Sequence, residues 1–226
     1  IILFLTGCSN SSIEKSDLDS MLLKGEVVSL KESIFDITIN NQLVDTVKCS
    51  EELYVFNDIG FIEEKTLYYH DGEINYKSKY KYNNDLKISQ IEFYNSKNEL
   101  YSKTNYTYFK YSDSIKVENT STKSGKKWIM GYKQEYDTIK RIYPKTINIE
   151  TYKISNNDTV FLKDITKIDS NGNVASETKI AEKEGFKEIH NTTYKYEFDS
   201  MGNWTKKIKI NDSIPSIIFT RELTYR

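Results

Sequence analysis

The chain has little of what catalysis and metal binding draw on. Its 226 residues include two cysteines, two histidines, two prolines and nine glycines. No Cys-x-x-Cys, His-Glu-x-x-His or paired histidine spacing occurs, which argues against a zinc site. A nucleophilic triad would have to take its base from His70 or His190, and no nucleophile elbow is present for it to serve. Glycine never recurs as Gly-x-Gly-x-x-Gly, so there is no glycine-rich phosphate loop. Neither sign of charge dominates, 32 Lys and Arg standing against 33 Asp and Glu. A nucleic-acid partner would want a basic face and is not expected. No apolar run is long enough to cross a bilayer as a helix. No cofactor or metal is implied.

Tyrosine is what the chain has in quantity: 18 residues, beside 10 Phe and two Trp. Hydrophobic residues make up only 38%, so the core is expected to be modest and the surface large. Disorder is not expected, because disordered chains are poor in aromatic and β-branched residues. Aromatics recur with period two, as in Tyr80-Lys81-Tyr82, Tyr106-Thr107-Tyr108 and Tyr194-Lys195-Tyr196. One face of each such strand is then aromatic and the other carries Lys or Thr. The lysines keep that second face soluble and discourage edge pairing. The fold class expected is all-β, an antiparallel meander of repeated hairpins forming an elongated, twisted or partly rolled sheet.

The first residues, Ile1-Ile2-Leu3-Phe4-Leu5-Thr6-Gly7-Cys8, are an apolar run closing on small residues and a cysteine. Leu5-Thr6-Gly7-Cys8 resembles the lipobox of bacterial lipoproteins, which implies removal of residues 1–7 and lipidation of Cys8. The run lacks an initiator Met and a basic segment, so the sequence reads as truncated at its start. Two acyl chains suffice for stable anchoring, and the membrane would be touched through the lipid alone. The expected location is the cell envelope, an outer-membrane lipoprotein on the periplasmic face rather than the cell surface. Residues 8–24 read as a tether. Asp17 to Lys24 could form two helical turns, capped by Ser16 or Asp17 and ended by Gly25. Cys49 then has no partner in the chain and is expected to be a small buried or half-buried side chain.

Residues 25–226 carry a recurring pattern. An aromatic or apolar residue is followed by Asp or Asn, turn-type residues and another apolar residue. The Asp or Asn stands at 57, 95, 137, 169 and 199, with looser copies at Tyr82-Asn83-Asn84-Asp85 and Tyr111-Ser112-Asp113-Ser114. Asp or Asn can accept a backbone N–H two residues on, and the later Gly or Asn supplies a positive φ. Tyr196-Glu197-Phe198-Asp199-Ser200-Met201-Gly202-Asn203-Trp204-Thr205 is the fullest copy. These segments resemble the YD-repeat, RHS-like family, and in particular small repeat lipoproteins of Bacteroidetes-type bacteria. That resemblance implies a β-hairpin repeat without a general activity. Residues 112–165 fit the pattern poorly, leaving room for a sub-domain or insertion.

Candidate sites are few. Glu51-Glu52 and Glu63-Glu64 could supply the facing carboxylates of a glycosidase, although solvated strand faces produce such pairs for free. Asp169-Ser170-Asn171-Gly172-Asn173 is the nearest thing to a calcium loop but lacks the closing Glu. Trp128 and Trp204 could face a glycan or peptide ligand; cross-strand packing is the plainer explanation. Asp followed by Ser or Thr and an apolar residue resembles an O-glycosylation acceptor, at Ser20, Thr46, Ser114, Thr138, Thr159, Ser200 and Ser213. Turn residues leading into strands make the same triplet. The functional expectation is a non-enzymatic envelope lipoprotein offering a repetitive β surface to a protein or glycan. Two alternatives stand beside it: a hydrolase or carbohydrate-active accessory protein with its site in residues 112–165, and, by analogy with RHS systems, a toxin-associated or immunity-type protein.

Overall fold

The structure, a computed structural model, describes residues 16–40, 43–110, 114–121, 127–133, 145–155, 158–183 and 186–226. Cys8, Thr138 and the expected turn at 136–142 lie outside the described residues, as do the side chains of Ser114, Trp128 and Thr159.

Fourteen strands are found among the described residues. They are β1 Val27–Asn40, β2 Leu43–Phe56, β3 Ile62–Tyr68, β4 Ile74–Tyr82, β5 Ile88–Asn95, β6 Leu100–Lys110 and β7 Ser114–Ser121. The rest are β8 Lys127–Lys133, β9 Lys145–Ser155, β10 Asp158–Ile168, β11 Val174–Lys183, β12 Phe186–Phe198, β13 Trp204–Asn211 and β14 Ile214–Tyr225. All belong to one antiparallel sheet in the order β8-β7-β6-β5-β4-β3-β2-β1-β14-β13-β12-β11-β10-β9. The all-β meander expected from the sequence is therefore the fold.

The meander comes in two runs. One runs outward from β1 to β8, and the other returns from β9 to β14, which pairs with β1 at the centre. The chain passes from one edge of the sheet to the other between Lys133 and Lys145, twelve residues apart (145 − 133). Twelve residues span at most about 43 Å. Thirteen flat strand spacings would separate the edges by about 62 Å. The sheet must therefore curl.

Local chemistry explains the reversals. Six turns share one geometry, at 57–61, 69–73, 83–87, 95–99, 169–173 and 199–203. In each, the first N–H donates to the fifth carbonyl and the fourth N–H donates to the first carbonyl. The fourth residue has positive φ, from 61° at Asn98 to 89° at Gly172. In five of the six, the leading Asn or Asp accepts from the third and fifth N–H groups; Asn57 Oδ1 takes Ile59 N at 3.1 Å and Phe61 N at 3.0 Å. At 69–73 the leading residue is Tyr69, and Asp71 caps Glu73 N at 3.0 Å instead. Leu86 holds the positive φ of 62° at the 83–87 turn, a conformation that costs a non-glycine residue about 1–2 kcal/mol.

Beyond several of these turns the register slips by one residue, as between Val55 and Phe56 or Glu197 and Phe198. A tyrosine on the adjoining strand then hydrogen-bonds the first carbonyl after the turn. Tyr82 Oη donates to Ile62 O at 2.7 Å, Tyr108 Oη to Ile88 O at 2.9 Å and Tyr196 Oη to Val174 O at 2.8 Å. The second tyrosine of each Tyr-x-Tyr pair thus satisfies a backbone carbonyl, as buried polar groups require.

The N-terminal helix is shorter than expected. Helix α1 covers only Asp17–Ser20, with Ser16 capping it in a capping box. It ends at Leu22, whose φ is 57°, and not at Gly25. Leu22 N donates to Asp19 O and Leu23 N to Leu18 O, the bonds of a Schellman cap, which brings Leu18 and Leu23 together. Both leucines pack at one end of the sheet. Asp17 Oδ2 accepts Ile62 N at 2.7 Å, and Leu18 N donates to Gly60 O at 3.1 Å. Buried Asn203 accepts Lys24 N at 2.7 Å and donates to Lys24 O and Tyr225 Oη, both at 2.8 Å. Residues 16–24 thereby bridge the turns at 57–61 and 199–203. A Cβ on Gly60 would stand 3.1 Å from Leu18, so only glycine fits both the φ and the packing there. The main core cluster lies beneath this segment: Leu23, Val27, Leu30 and Phe56, flanked by Tyr54, Ile62, Leu223 and Tyr225.

Candidate functional site

Cross-strand register assigns each side chain to one of two faces. The face that holds Leu30 also holds Glu32, Tyr54, Tyr80, Tyr82, Ile91 and Phe93 on one wing. On the other wing it holds Leu223, Arg221, Phe219, Lys207, Tyr196 and Tyr194. We call this the inner face, because the core and the closing segment 16–24 lie on it. The outer face is a ladder of opposite charges. Lys31 lies 3.4 Å from Glu51, Lys77 2.9 Å from Glu64, Lys81 3.2 Å from Glu92 and Lys103 3.8 Å from Glu92.

Burial treats the two faces differently. Tyr80 and Tyr82 are half-buried, whereas Lys79 and Lys81 between and beside them are exposed. Burial is the foremost cause that pushes the phenols of Tyr54, Tyr80, Tyr82, Tyr106, Tyr194 and Tyr196 upward, Tyr196 to about 12. All six stand on the inner face. On the outer face, Glu92 is held below the usual carboxylate range by hydrogen bonds from Tyr94 and Lys81. Burial opposes ionisation of Glu51, but hydrogen bonds from Lys48 and Ser33 outweigh it and keep the carboxyl low.

The centre of the inner face is cationic and aromatic. Arg221 Nε donates to Glu32 Oε2 at 2.8 Å, and the guanidinium lies 3.6 Å from the centroid of Trp204. The Arg221 side chain is only 10% exposed. Burial lowers the guanidinium pKa and Glu32 works against that shift, so the pair is a desolvated ion pair carrying a stacked ring. Lys207 Nζ lies 4.0 Å from the Phe219 centroid, 5.0 Å from Trp204 and 5.9 Å from Tyr194. Nearby hydroxyls are already committed. Tyr54 donates to Glu52, which also meets Lys65 at 2.9 Å, and Tyr194 donates to Glu177 at 2.7 Å. With Tyr82, Tyr108 and Tyr196 tied to carbonyls, this face presents ring surfaces more than free donors.

Trp204, one of the two tryptophans singled out from sequence, is thus placed under Arg221. Sequence reasoning missed Arg221, Glu32 and Lys207. Arg221 alone carried a signal, a charge soon after the apolar run Ile217-Ile218-Phe219; Glu32 and Lys207 stand among other charged residues. Ser20, Thr46, Ser200 and Ser213 are exposed. His70 is exposed on a turn; His190 is exposed too, with Glu188 2.6 Å and Asp212 3.7 Å away. Cys49 is exposed and not buried as expected: it is the extra residue where β2 slips register against β1, opposite no partner. Glu63 and Glu64 line a depression with Lys79, Lys81 and Glu92, where lysines neutralise Glu64 and Glu92. Asp169 spends its carboxylate on Asn171 N and Asn173 N, at 2.9 and 2.8 Å, as a turn residue does.

No family model and no curated protein matches the chain. Solved structures similar to it include a porin-like protein from Bacteroides uniformis, 9% identical with a TM-score of 0.33, covering 89% of this chain and 99% of that one. A putative outer membrane lipoprotein-sorting protein domain from Vibrio parahaemolyticus is 8% identical with a TM-score of 0.30, covering 87% and 85%. A LolA superfamily protein from Nitrosomonas europaea is 10% identical with a TM-score of 0.32, covering 92% and 93%. The resemblance to YD-repeat proteins is thereby corrected: no such family matches, and these neighbours are not YD or RHS proteins. The physical reason lies in the turns. The same geometry forms at 69–73 without a leading Asp or Asn, so the pattern reports hairpin chemistry and not a family. At these TM-scores any functional reading must come from the site itself.

Proposed function

We propose that the chain is a lipid-anchored, non-enzymatic binding protein of the bacterial envelope whose inner face receives an apolar-bodied ligand. The observation that carries this is the tied-off tyrosine face. Half-buried rings of Tyr54, Tyr80 and Tyr82 on one wing and of Tyr194 and Tyr196 beside the Arg221–Trp204 stack on the other line this face, and most of their hydroxyls are already bonded. Such walls favour contact with an alkyl chain or a flat ring over a polyol that needs many donors. The carboxylates there, Glu32, Glu52 and Glu177, are each engaged by Arg221, Tyr54 and Tyr194, which favours binding over proton transfer. Location rests on the lipobox at Leu5 to Cys8, and an outer-membrane anchor facing the periplasm remains our reading. Ser20, Thr46, Ser200 and Ser213 are exposed, as acceptors for an O-linked glycan must be.

An uncharged fluorescent probe such as N-phenyl-1-naphthylamine tests the reading on the full chain. Its emission is expected to rise on binding, to fall when dodecanol competes, and to weaken at least fivefold in Tyr80→Ala or Trp204→Ala. A probe that stays dark, or one indifferent to both substitutions, would sink the binding face. Intact mass of the native protein separately checks the lipid on Cys8 and any glycan.

A further inference from the structure

The alternation of β13 is inverted relative to the aromatic strands beside it. Thr205 is an extra residue in the pairing with β12: Glu197 faces Lys206 while Phe198 faces Trp204. That slip turns Lys207 and Lys209 inward, opposite Tyr196 and Tyr194. It turns Ile208 outward, opposite Ile218. Placing lysines inside and isoleucine outside breaks the usual burial rule, and proteins tend to keep such violations at functional sites.

The charges of this face are not balanced pair by pair. Arg221 has Glu32, and Lys65 has Glu52 at 2.9 Å. Lys207 is half-buried, touches three rings, and has no carboxylate within ion-pair distance among the described residues. Glu177, the next acid within electrostatic reach, is occupied by the hydroxyl of Tyr194. Desolvation depresses the ammonium pKa, with Arg221 adding to it and Glu32 opposing. Among the described residues this ammonium faces three rings and no carboxylate, and such a partly desolvated cation suits an anionic acceptor.

We propose that Lys207 is the recognition point for an anionic head group, a carboxylate or a phosphate, on a ligand whose apolar body lies along the tyrosine-lined face. This rests on the reading of that face as a binding surface. Lys209, the next inward position away from the 199–203 turn and opposite Tyr194, extends the positive field along this face. The Arg221–Glu32 pair is already satisfied and serves as the floor.

The test is displacement of N-phenyl-1-naphthylamine from the full chain by dodecanoate, dodecyl phosphate and dodecanol, each below its micellar concentration. At least one anionic chain is expected to compete about tenfold better than dodecanol, and the better of the two identifies the head group. In Lys207→Gln that preference should vanish while dodecanol is unchanged; Lys207→Arg should retain most of it. Equal competition by all three ligands, or a preference that survives in Lys207→Gln, overturns the head-group site and leaves the apolar face standing. Failure of every chain to displace the probe overturns both.

Discussion

The outer and inner faces of this sheet alternate along the same strands, charged outside and aromatic inside, and behave as different materials. Outside, Lys77, Glu64, Lys81 and Glu92 cancel one another across strands. Water screens such pairs, so each contributes little. Inside, the charges that survive are buried against rings, and the tyrosine hydroxyls are spent on carbonyls and carboxylates. What differs is which side chains the strand register sends to each face. The inner face should therefore govern stability and binding, and the outer face solubility.

Breaking that contrast begins with the core. Leu30 is fully buried on the inner face, and Leu30→Ala is expected to cost about 2–5 kcal/mol in urea unfolding followed by circular dichroism. A loss below 1 kcal/mol would mean that the inner face does not hold the fold. Asn203→Ala comes next, at about 1–3 kcal/mol, since it leaves the backbone of Lys24 without its partners. Faster proteolysis near Leu23 should accompany it.

Asp199 sharpens the contrast through pH. Burial opposes its ionisation, but hydrogen bonds from Tyr225 and the backbone of Asn203, Met201 and Gly202 hold its pKa below the ordinary value. A carboxyl depressed on folding stabilises above its unfolded pKa of about 3.9 and loses that contribution as pH falls through the folded value. Asp199→Asn keeps the turn's acceptor, as Asn57 and Asn83 do. It should cost about 1 kcal/mol at neutral pH, and its stability should fall less steeply than wild type below pH 4. The smallest effect is outside: Lys77→Ala should change stability by no more than about 1 kcal/mol and less still in high salt. A larger, salt-insensitive loss would show that the outer ladder is structural.

Much of the architecture was legible beforehand because it is local. Alternating tyrosines announce strands, and Asn57, Asn95, Asp169 and Asp199 announce reversals, since a side-chain acceptor and a positive φ are chemistry within five residues. The helix was overestimated because Leu22 takes the left-handed position that Gly25 was expected to take. A Schellman cap bonds Leu23 back to Leu18, and no glycine marks it. Cys49 was misjudged because a register slip, invisible in composition, sends it outward. At the site, Trp204 could be noticed as a rare aromatic; Lys207 could not. Strict alternation from Trp204 would put Ile208 and Ile210 beside it on the aromatic face and Lys207 outside. The extra residue at Thr205 exchanges them.

By itself the sequence determined strand periodicity, the places where the chain turns back, and the chemistry held in reserve for each face, because these depend on neighbours a few residues away. Only the tertiary structure decided that β14 closes on β1, that Arg221 meets Glu32 at a separation of 189 residues, and that Lys207 faces the rings. Those outcomes depend on register between distant strands, where a one-residue slip sends a side chain to the opposite face.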